Sequence, residues 1–251
     1  MKNYILSPQA MVMVSGSSIG TQPKYYDKNY WYKENQMGYE STSETLSSLV
    51  LSCSNAASYV KYEECTINNR RGCRSKSFLK KDESFISFQH LFEMYHGGNL
   101  SEHVITMTSV EERIRFTKNF VLEYTGFDCS EYLSKILTFD MLILNTDRHF
   151  NNLGIIVNSR TDQCSEAPIF DNGAALMSNY DRFPLENSIE ENLEKVYGQP
   201  FSSSLEIQAK AMGIGIKIDY SKLGALLEKE PNSRALEVLK YQLERYKKIL
   251  S

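Results

Sequence analysis

No two of the five cysteines, Cys53, Cys65, Cys73, Cys129 and Cys164, form a C-x-x-C pair. That absence argues against a zinc site, and an odd, scattered set indicates no disulfide framework, so free thiols in a reducing compartment are expected. Charge of one sign is also lacking. The net charge is −3, which argues against a dedicated nucleic-acid binder. No run approaches the roughly 18 apolar residues of a membrane span. Ser7-Pro8-Gln9 interrupts the N-terminal apolar stretch, so it lacks the continuous centre of a signal peptide. The expected location is the cytoplasm, although export without a cleaved signal leaves no trace in a sequence. There is no internal repeat and no long low-complexity tract. What remains is ordinary for a globular chain of 251 residues, with 41% apolar and 24% charged residues. That is enough to bury a core as one domain or two lobes.

The informative stretch runs from Met141 to Leu176. The apolar run Met141 to Leu144 delivers the chain to Asn145-Thr146-Asp147-Arg148-His149, with Asn152 just beyond. Two short apolar runs follow, Leu153 to Val157 and Pro168 to Phe170. Each is too short for a helix, and together they predict a hairpin. The second ends on Asp171-Asn172-Gly173. Taken singly, these polar residues read as caps and turns. Taken in order, Asp147, Asn152 and Asp171 sit at the ends of neighbouring rigid elements, which suits phosphoryl transfer from a metal-bound nucleotide. That chemistry needs a carboxylate near the attacking hydroxyl and oxygen ligands that hold Mg²⁺ against the phosphates. Asp147 fits the first role; Asn152 and Asp171 fit the second. The Asp-to-Asn spacing of five and the later Asp-x-Gly have the pattern of a kinase catalytic loop and its metal-binding element.

Upstream, Ala10 to Val14 predicts a strand and Ser15-Gly16-Ser17-Ser18-Ile19-Gly20-Thr21 a small-residue loop. KYYDKNYWYKE, broken at Asp27-Lys28-Asn29, predicts two more strands. A Gly/Ser loop between strands lets backbone N–H groups approach phosphate oxygens. It is not a Walker A, because no Gly-Lys-Ser/Thr follows; the pattern alone equally describes a plain hairpin loop. Lys33 ends the third strand, where a kinase-type site holds nucleotide phosphates; Lys24 and Lys28 are rivals on the same sheet. Ser41 and Glu44 have capping-box spacing. The helix that follows runs roughly to Leu51, with Leu46, Leu49 and Val50 on its buried side. An early glutamate on it orients Lys33: Glu44 first, or Glu40 if Glu44 is engaged in capping.

Ser58 to Ile67 predicts a strand, and Asn68 to Lys76 a basic, solvated loop. Helices dominate from about His90. Val110 to Tyr124 is stopped by Gly126. Ser130 to Leu144 carries the stripe Leu133, Ile136, Leu137, Met141 and Leu144 and supports Asp147. Ser203 or Ser204 caps the helix after the loop Gly198 to Ser204. Ser233 to Leu250 is a last helix, expected to pack on the C-terminal lobe. His149 has no zinc-ligand partners nearby and reads as a residue that shapes the loop. The link between lobes falls near Ser84 to His90. The expected organisation is an N-terminal lobe of residues 1–88 and a mainly helical C-terminal lobe of residues 89–251, in the α+β class.

Asn145-Thr146-Asp147-Arg148-His149-x-x-Asn152, followed by Phe170-Asp171-Asn172-Gly173, resembles the HipA-like serine/threonine kinases of bacteria, in particular their short, CtkA-type branch. The stretches GTQPKYY, YWYKEN, GYESTSETLSSLVL and CRSKSFL are similar to that branch too. Asp-Arg-His-x-x-Asn also occurs in the distantly similar phosphatidylinositol kinases. The resemblance implies a two-lobed protein-kinase-like fold, with ATP and Mg²⁺ (or Mn²⁺) as cofactors. It implies Asp147 as catalytic base, Asn152 and Asp171 as metal ligands, Lys33 as the phosphate-gripping lysine and Glu44 as its partner. Ser15, Gly16, Ser17, Ser18, Gly20 and Thr21 become the phosphate loop, with autophosphorylation at Ser15, Ser17 or Ser18. The chain departs from the long form of the family in two ways: the extra N-terminal subdomain has no counterpart, and Asn151 stands where that form often has Lys. The protein substrate and any antitoxin-like or host partner therefore stay open.

The expected activity is ATP-dependent transfer of the γ-phosphoryl group to Ser or Thr of a protein, with no direct nucleic-acid or membrane partner. One alternative is a small-molecule or lipid kinase of the same fold; the lack of a basic amphipathic helix weighs against lipid surfaces. The other is a non-catalytic ATP-binding interaction module, against which the complete set of Lys33, Asp147, Asn152 and Asp171 speaks.

Overall fold

The computed structural model describes residues 1–12 and 22–251, so the candidate phosphate loop from Ser15 to Thr21 lies outside the described residues. The chain opens with strand β1 (Asn3–Tyr4), a 3-10 turn at Pro8–Ala10, β2 (Lys24–Asp27), β3 (Tyr30–Glu34) and helix α1 (Glu40–Leu51). Next come β4 (Tyr62–Ile67), β5 (Arg70–Lys76), β6 (Glu83–Ser87), α2 (Phe88–His96), α3 (Leu100–Ile105), α4 (Val110–Thr125) and α5 (Ser130–Ile143). The chain finishes with β7 (Gly154–Asn158), β8 (Gln163–Glu166), α6 (Ile189–Leu193), α7 (Leu205–Met212), α8 (Tyr220–Leu227) and α9 (Arg234–Leu250). Among the described residues no helix is long and apolar enough to cross a membrane.

These elements form two compact units. The first comprises Met1–Phe78, Phe170–Val196 and Lys217–Ser251; the second comprises Leu79–Ile169 and Tyr197–Ile216. Each is thus assembled from separated stretches, whereas the sequence reading draws one cut after residue 88. Helix α9 shows why a single cut is the wrong shape for this chain. Its buried stripe, Leu236, Leu239, Leu243 and Leu250, packs on α1 within the first unit. A stripe announces that a helix buries one face; it does not announce against what.

The first unit is built on a five-stranded sheet in the order β1-β4-β5-β3-β2, with β1 parallel to β4 and every other pair antiparallel. The predicted basic loop is in fact strand β5. Asn68-Asn69, at φ 48° and 69°, is the two-residue left-handed turn that closes a tight hairpin. It zips Arg70–Lys76 onto β4 and β3. The cations do not mark a solvated loop because they pair across the ladder: Arg74 bonds Glu63 at 2.7 Å, and Arg71 lies 3.7 Å from Glu64. Gly72 is required at this register, since a Cβ there would stand 2.3 Å from the Lys33 carbonyl oxygen. Part of the sheet's core is Val60, Tyr62 and Cys73, with Phe78 and Phe170 packed against them.

The second unit carries a three-stranded antiparallel sheet, β6-β7-β8. The hairpin after Asn152 exists, but its second arm is Gln163–Glu166, not Pro168 to Phe170. Pro168 has no N–H to give a ladder. The real arm is a polar strand at the sheet edge, which carries no apolar run to reveal it. Strand β6 occupies the position expected for an inter-lobe link and passes directly into α2, where the Ser87 hydroxyl accepts the His90 N–H. Helix α4 ends at Gly126 in the left-handed region, φ 68°. Helix α5 is buried along almost its whole length, and α7 packs on both α5 and α4.

Candidate active site

Lys33 stands on β3, opposite Lys24 of β2 and Cys73 of β5. Its ammonium donates to Glu44 Oε1 at 2.7 Å and to Asp171 Oδ1 at 2.5 Å. It also lies 5.3 Å from the centre of the Tyr62 ring. The other Glu44 oxygen accepts the Asn172 N–H at 2.8 Å, and the Tyr62 hydroxyl accepts the Asp171 N–H at 3.3 Å. Asp171 adopts φ 59°, and the Ser43 hydroxyl bonds the Asn172 carbonyl at 2.8 Å. Lys24 approaches the second Asp171 oxygen at 3.9 Å. Strand, helix and the Asp171-Asn172-Gly173 turn are therefore stitched together around one lysine.

The start of α1 explains why Glu44 is available. The Ser41–Glu44 capping box does not form: Tyr39 is the N-cap residue and makes no side-chain bond. The Ser41 N–H goes to the Asn35 side chain at 2.9 Å, and Glu40 folds back over the turn that precedes the helix. Its carboxylate accepts the backbone N–H groups of Gln36, Met37 and Gly38 at 3.1, 2.6 and 3.1 Å. An anion there also suits the positive end of the helix. Glu44, one turn further on and with a side chain only 1% exposed, turns inward to Lys33.

Burial disfavours the Lys33 ammonium. The carboxylates of Asp171 and Glu44 outweigh it and hold the group well above the usual lysine range. Burial likewise pushes the Glu44 carboxyl up, against the pull of Lys33. Burial also raises the Tyr62 phenol and the Cys73 thiol, so both stay neutral near pH 7. The cluster is one cation between two anions in a poorly hydrated setting, where charge interactions are strong.

In the second unit α5 ends with Leu144 in the left-handed conformation, φ 56°, which turns the chain into the motif. Asn145 donates through its side chain to Asp140 Oδ1 at 3.0 Å, and its own oxygen accepts the Asp147 N–H at 3.1 Å. Arg148 reaches back to the same carboxylate, with Nε 2.9 Å from Oδ2 and Nη2 3.0 Å from Oδ1. Both members of this pair are 0% exposed. The loop closes on itself through the His149 N–H to the Asp147 carbonyl at 3.1 Å and the Asn152 N–H to the His149 carbonyl at 2.9 Å. Asp147 is solvent-exposed at the loop's crest, while Asn152 is buried below.

Two residues, one in each unit, each have donor chemistry of the kind a hard divalent cation takes. Asn152 commits its amide nitrogen to the Asp147 carbonyl at 3.2 Å, so its amide oxygen is the atom it can offer. Asp171 offers a carboxylate. Oxygen donors of this kind suit Mg²⁺ or Mn²⁺, which keeps water and substrate phosphates among its ligands. Among the described residues no three His, Cys, Asp or Glu side chains gather into a protein-only metal site.

Asp140 and Tyr62 were not singled out from the sequence. Asp140 had a signal: a lone carboxylate inside the apolar run FDMLIL requires a buried cation, and Arg148 is the nearest arginine after it. Tyr62 had none, because a single polar residue on a strand has no periodicity to betray it.

No protein-family model and no curated protein matches the sequence. Solved structures do. The Helicobacter pylori proinflammatory kinase CtkA is 16% identical, over 99% of this chain and 94% of its own, with a TM-score of 0.66. HipA of the Shewanella oneidensis MR-1 toxin–antitoxin system, solved with HipB and operator DNA, is 12% identical. It matches over 96% of this chain and 57% of its own, with a TM-score of 0.43. At 16% identity the first likeness speaks to architecture, and on it the chain has the α+β, two-lobed kinase-like fold of CtkA.

Proposed function

We propose that the chain is a HipA-like serine/threonine protein kinase that uses ATP and Mg²⁺ (or Mn²⁺). The observation that carries this reading is the Lys33 ammonium held between Glu44 and Asp171 on a kinase-like fold. A fixed cation of this kind is what nucleotide phosphates require, and a glutamate on an adjoining helix is what fixes it. Lys33 contacts the phosphates, Glu44 aims Lys33, and Ser15 to Thr21, outside the described residues, are the phosphate loop. Asp171 and Asn152 would hold the metal ion, which would supply neutralisation of the charge on the phosphate oxygens. Asp147 accepts the proton of the acceptor hydroxyl. The hydroxyl oxygen bonds the γ-phosphorus, the bond from that phosphorus to the β–γ bridging oxygen breaks, and ADP leaves.

The test is label transfer from γ-labelled ATP to a panel of protein, lipid and small-alcohol acceptors, with wild type and Asp147→Asn side by side. Wild type is expected to label protein Ser or Thr, and Asp147→Asn to bind ATP without labelling. Label confined to lipid or small alcohols would make the chain a different kinase of the same fold. ATP binding without transfer to any acceptor would make it an interaction module. Equal label in both proteins would remove Asp147 from the chemistry. Mass spectrometry of protein made with Asp147 intact is expected to find phosphate on Ser15, Ser17 or Ser18, and none there in Asp147→Asn; an unmodified loop counts against self-phosphorylation.

A further inference from the structure

We propose that Gln199 is a positioning residue for Asp147, an inference that rests on the kinase reading above. A primary amide nitrogen carries two hydrogens, and Gln199 gives both to one strip of the loop. Nε2 lies 3.1 Å from the Thr146 carbonyl oxygen and 3.2 Å from Asp147 Oδ1. The first bond ties the donor to the backbone; the second fixes the plane of the carboxylate relative to that backbone. A carboxylate on an exposed loop crest otherwise turns about its last side-chain bond, for which the rotamer wells are broad. A base must present its oxygen to the attacking hydroxyl at hydrogen-bond distance and in one orientation.

Gln199 is itself fixed. Its carbonyl accepts from Gln208 Nε2 at 3.1 Å, and the Gln208 side-chain oxygen accepts the N–H groups of Phe201 and Ser202, each at 3.3 Å. Gln208 is 0% exposed on α7, which packs on α5, the helix that delivers the Asp147 loop. Phe201 meets the Phe150 ring edge-on at 5.4 Å. The brace and the braced loop therefore stand on the same packed helices, so their relative geometry is set by the core. This anchoring separates a brace from the alternative, in which Gln199 sits on Asp147 as a displaceable stand-in for the acceptor. A stand-in must leave, and nothing in its role calls for a buried glutamine to clamp its backbone.

The test compares wild type, Gln199→Leu, Gln199→Glu and Asp147→Asn in steady-state phosphoryl transfer. Gln199→Glu keeps the shape, removes the donor and sets a like charge beside Asp147, whereas Gln199→Leu removes the donor and adds no charge, so a fall common to both variants reports the hydrogen bond. For both Gln199 variants kcat is expected to fall about 10- to 100-fold, the scale of a misplaced catalytic group. KM for ATP, KM for the acceptor and the thermal midpoint are expected to stay as in wild type. Unchanged kcat in Gln199→Glu overturns the proposal, as does a change confined to KM. Raised kcat in either variant also overturns it and identifies Gln199 as the stand-in. If Asp147→Asn is inactive while the Gln199 variants remain fully active, this inference fails and the kinase reading survives. If wild type transfers nothing, or Asp147→Asn transfers as well as wild type, both fail.

Discussion

Lys33→Met is expected to abolish ATP-dependent transfer and to destabilise the first unit by about 3–5 kcal/mol, the scale for breaking one side of a buried ion pair. Methionine replaces most of the lysine volume, so the loss is one of charge. Asp171 and Glu44 would face each other across an apolar side chain, and Glu44, 1% exposed, has no route to water. The expected pH dependence follows from the directions of the shifts. In wild type the Lys33 pKa is raised. Its contribution is therefore complete below the ordinary lysine value and is lost only as pH climbs through the higher folded value. In the variant the cation that lowers the Glu44 pKa is gone, so a carboxyl already raised by burial is raised further. A raised acid favours the folded state at low pH and ceases to do so as pH rises through its folded value. Urea unfolding should therefore show a smaller wild-type-to-variant gap at pH 5 than at pH 8. An equal gap at both would mean that Glu44 does not bear the unpaired charge.

Much of this architecture is legible in the residues, and the illegible parts have identifiable causes. Helices α4, α5 and α9 announce themselves by stripe and by stop signal, Gly126 being the plainest. Strand β5 hides because its arginines are paired with glutamates one strand away, and pairing partners are not visible along a chain. Strand β8 hides because an edge strand needs no apolar run. The gathering of separated segments into each unit hides because a buried face does not name its partner. The same division holds at the candidate site. Residue types and spacing single out Asp147, Asn152 and Asp171. They leave Glu44 and Glu40 as rivals, and what separates the two is that three backbone N–H groups occupy the Glu40 carboxylate. They leave Lys24, Lys28 and Lys33 as rivals as well. Lys28 lies in the β2–β3 turn at φ 47°, whereas Lys24 faces Lys33 across the ladder and sits 3.9 Å from Asp171. The bond from Gln199 to Asp147 spans 52 residues, and no local pattern encodes a contact of that reach.

Asp140→Leu is expected to be among the most damaging single changes in the second unit, again about 3–5 kcal/mol, and worse than Arg148→Met. Both partners are fully buried, but they do not respond alike to being left alone. The Asp140 carboxyl is already pushed up by burial against the pull of Arg148, and it can take a proton when Arg148 is removed. A guanidinium cannot lose one at any ordinary pH, so in Asp140→Leu a fixed charge stays inside an apolar core. The double variant Asp140→Leu, Arg148→Met removes both charges and keeps similar volume, and is expected to recover most of the lost stability. It should not recover phosphoryl transfer. Asp140 also accepts from Asn145, and Asn145 in turn accepts the Asp147 N–H. Without Asp140 the Asn145 side chain loses the bond that aims its oxygen, and the start of the loop carrying Asp147 loses its tether. Urea midpoints and label transfer from ATP, measured on the two single variants and the double, separate the two roles. Stability restored with transfer still lost is the expected pattern. Recovery of both would show that the ion pair serves the fold alone, and a double variant as unstable as Asp140→Leu would show that shape rather than charge is what this pair contributes.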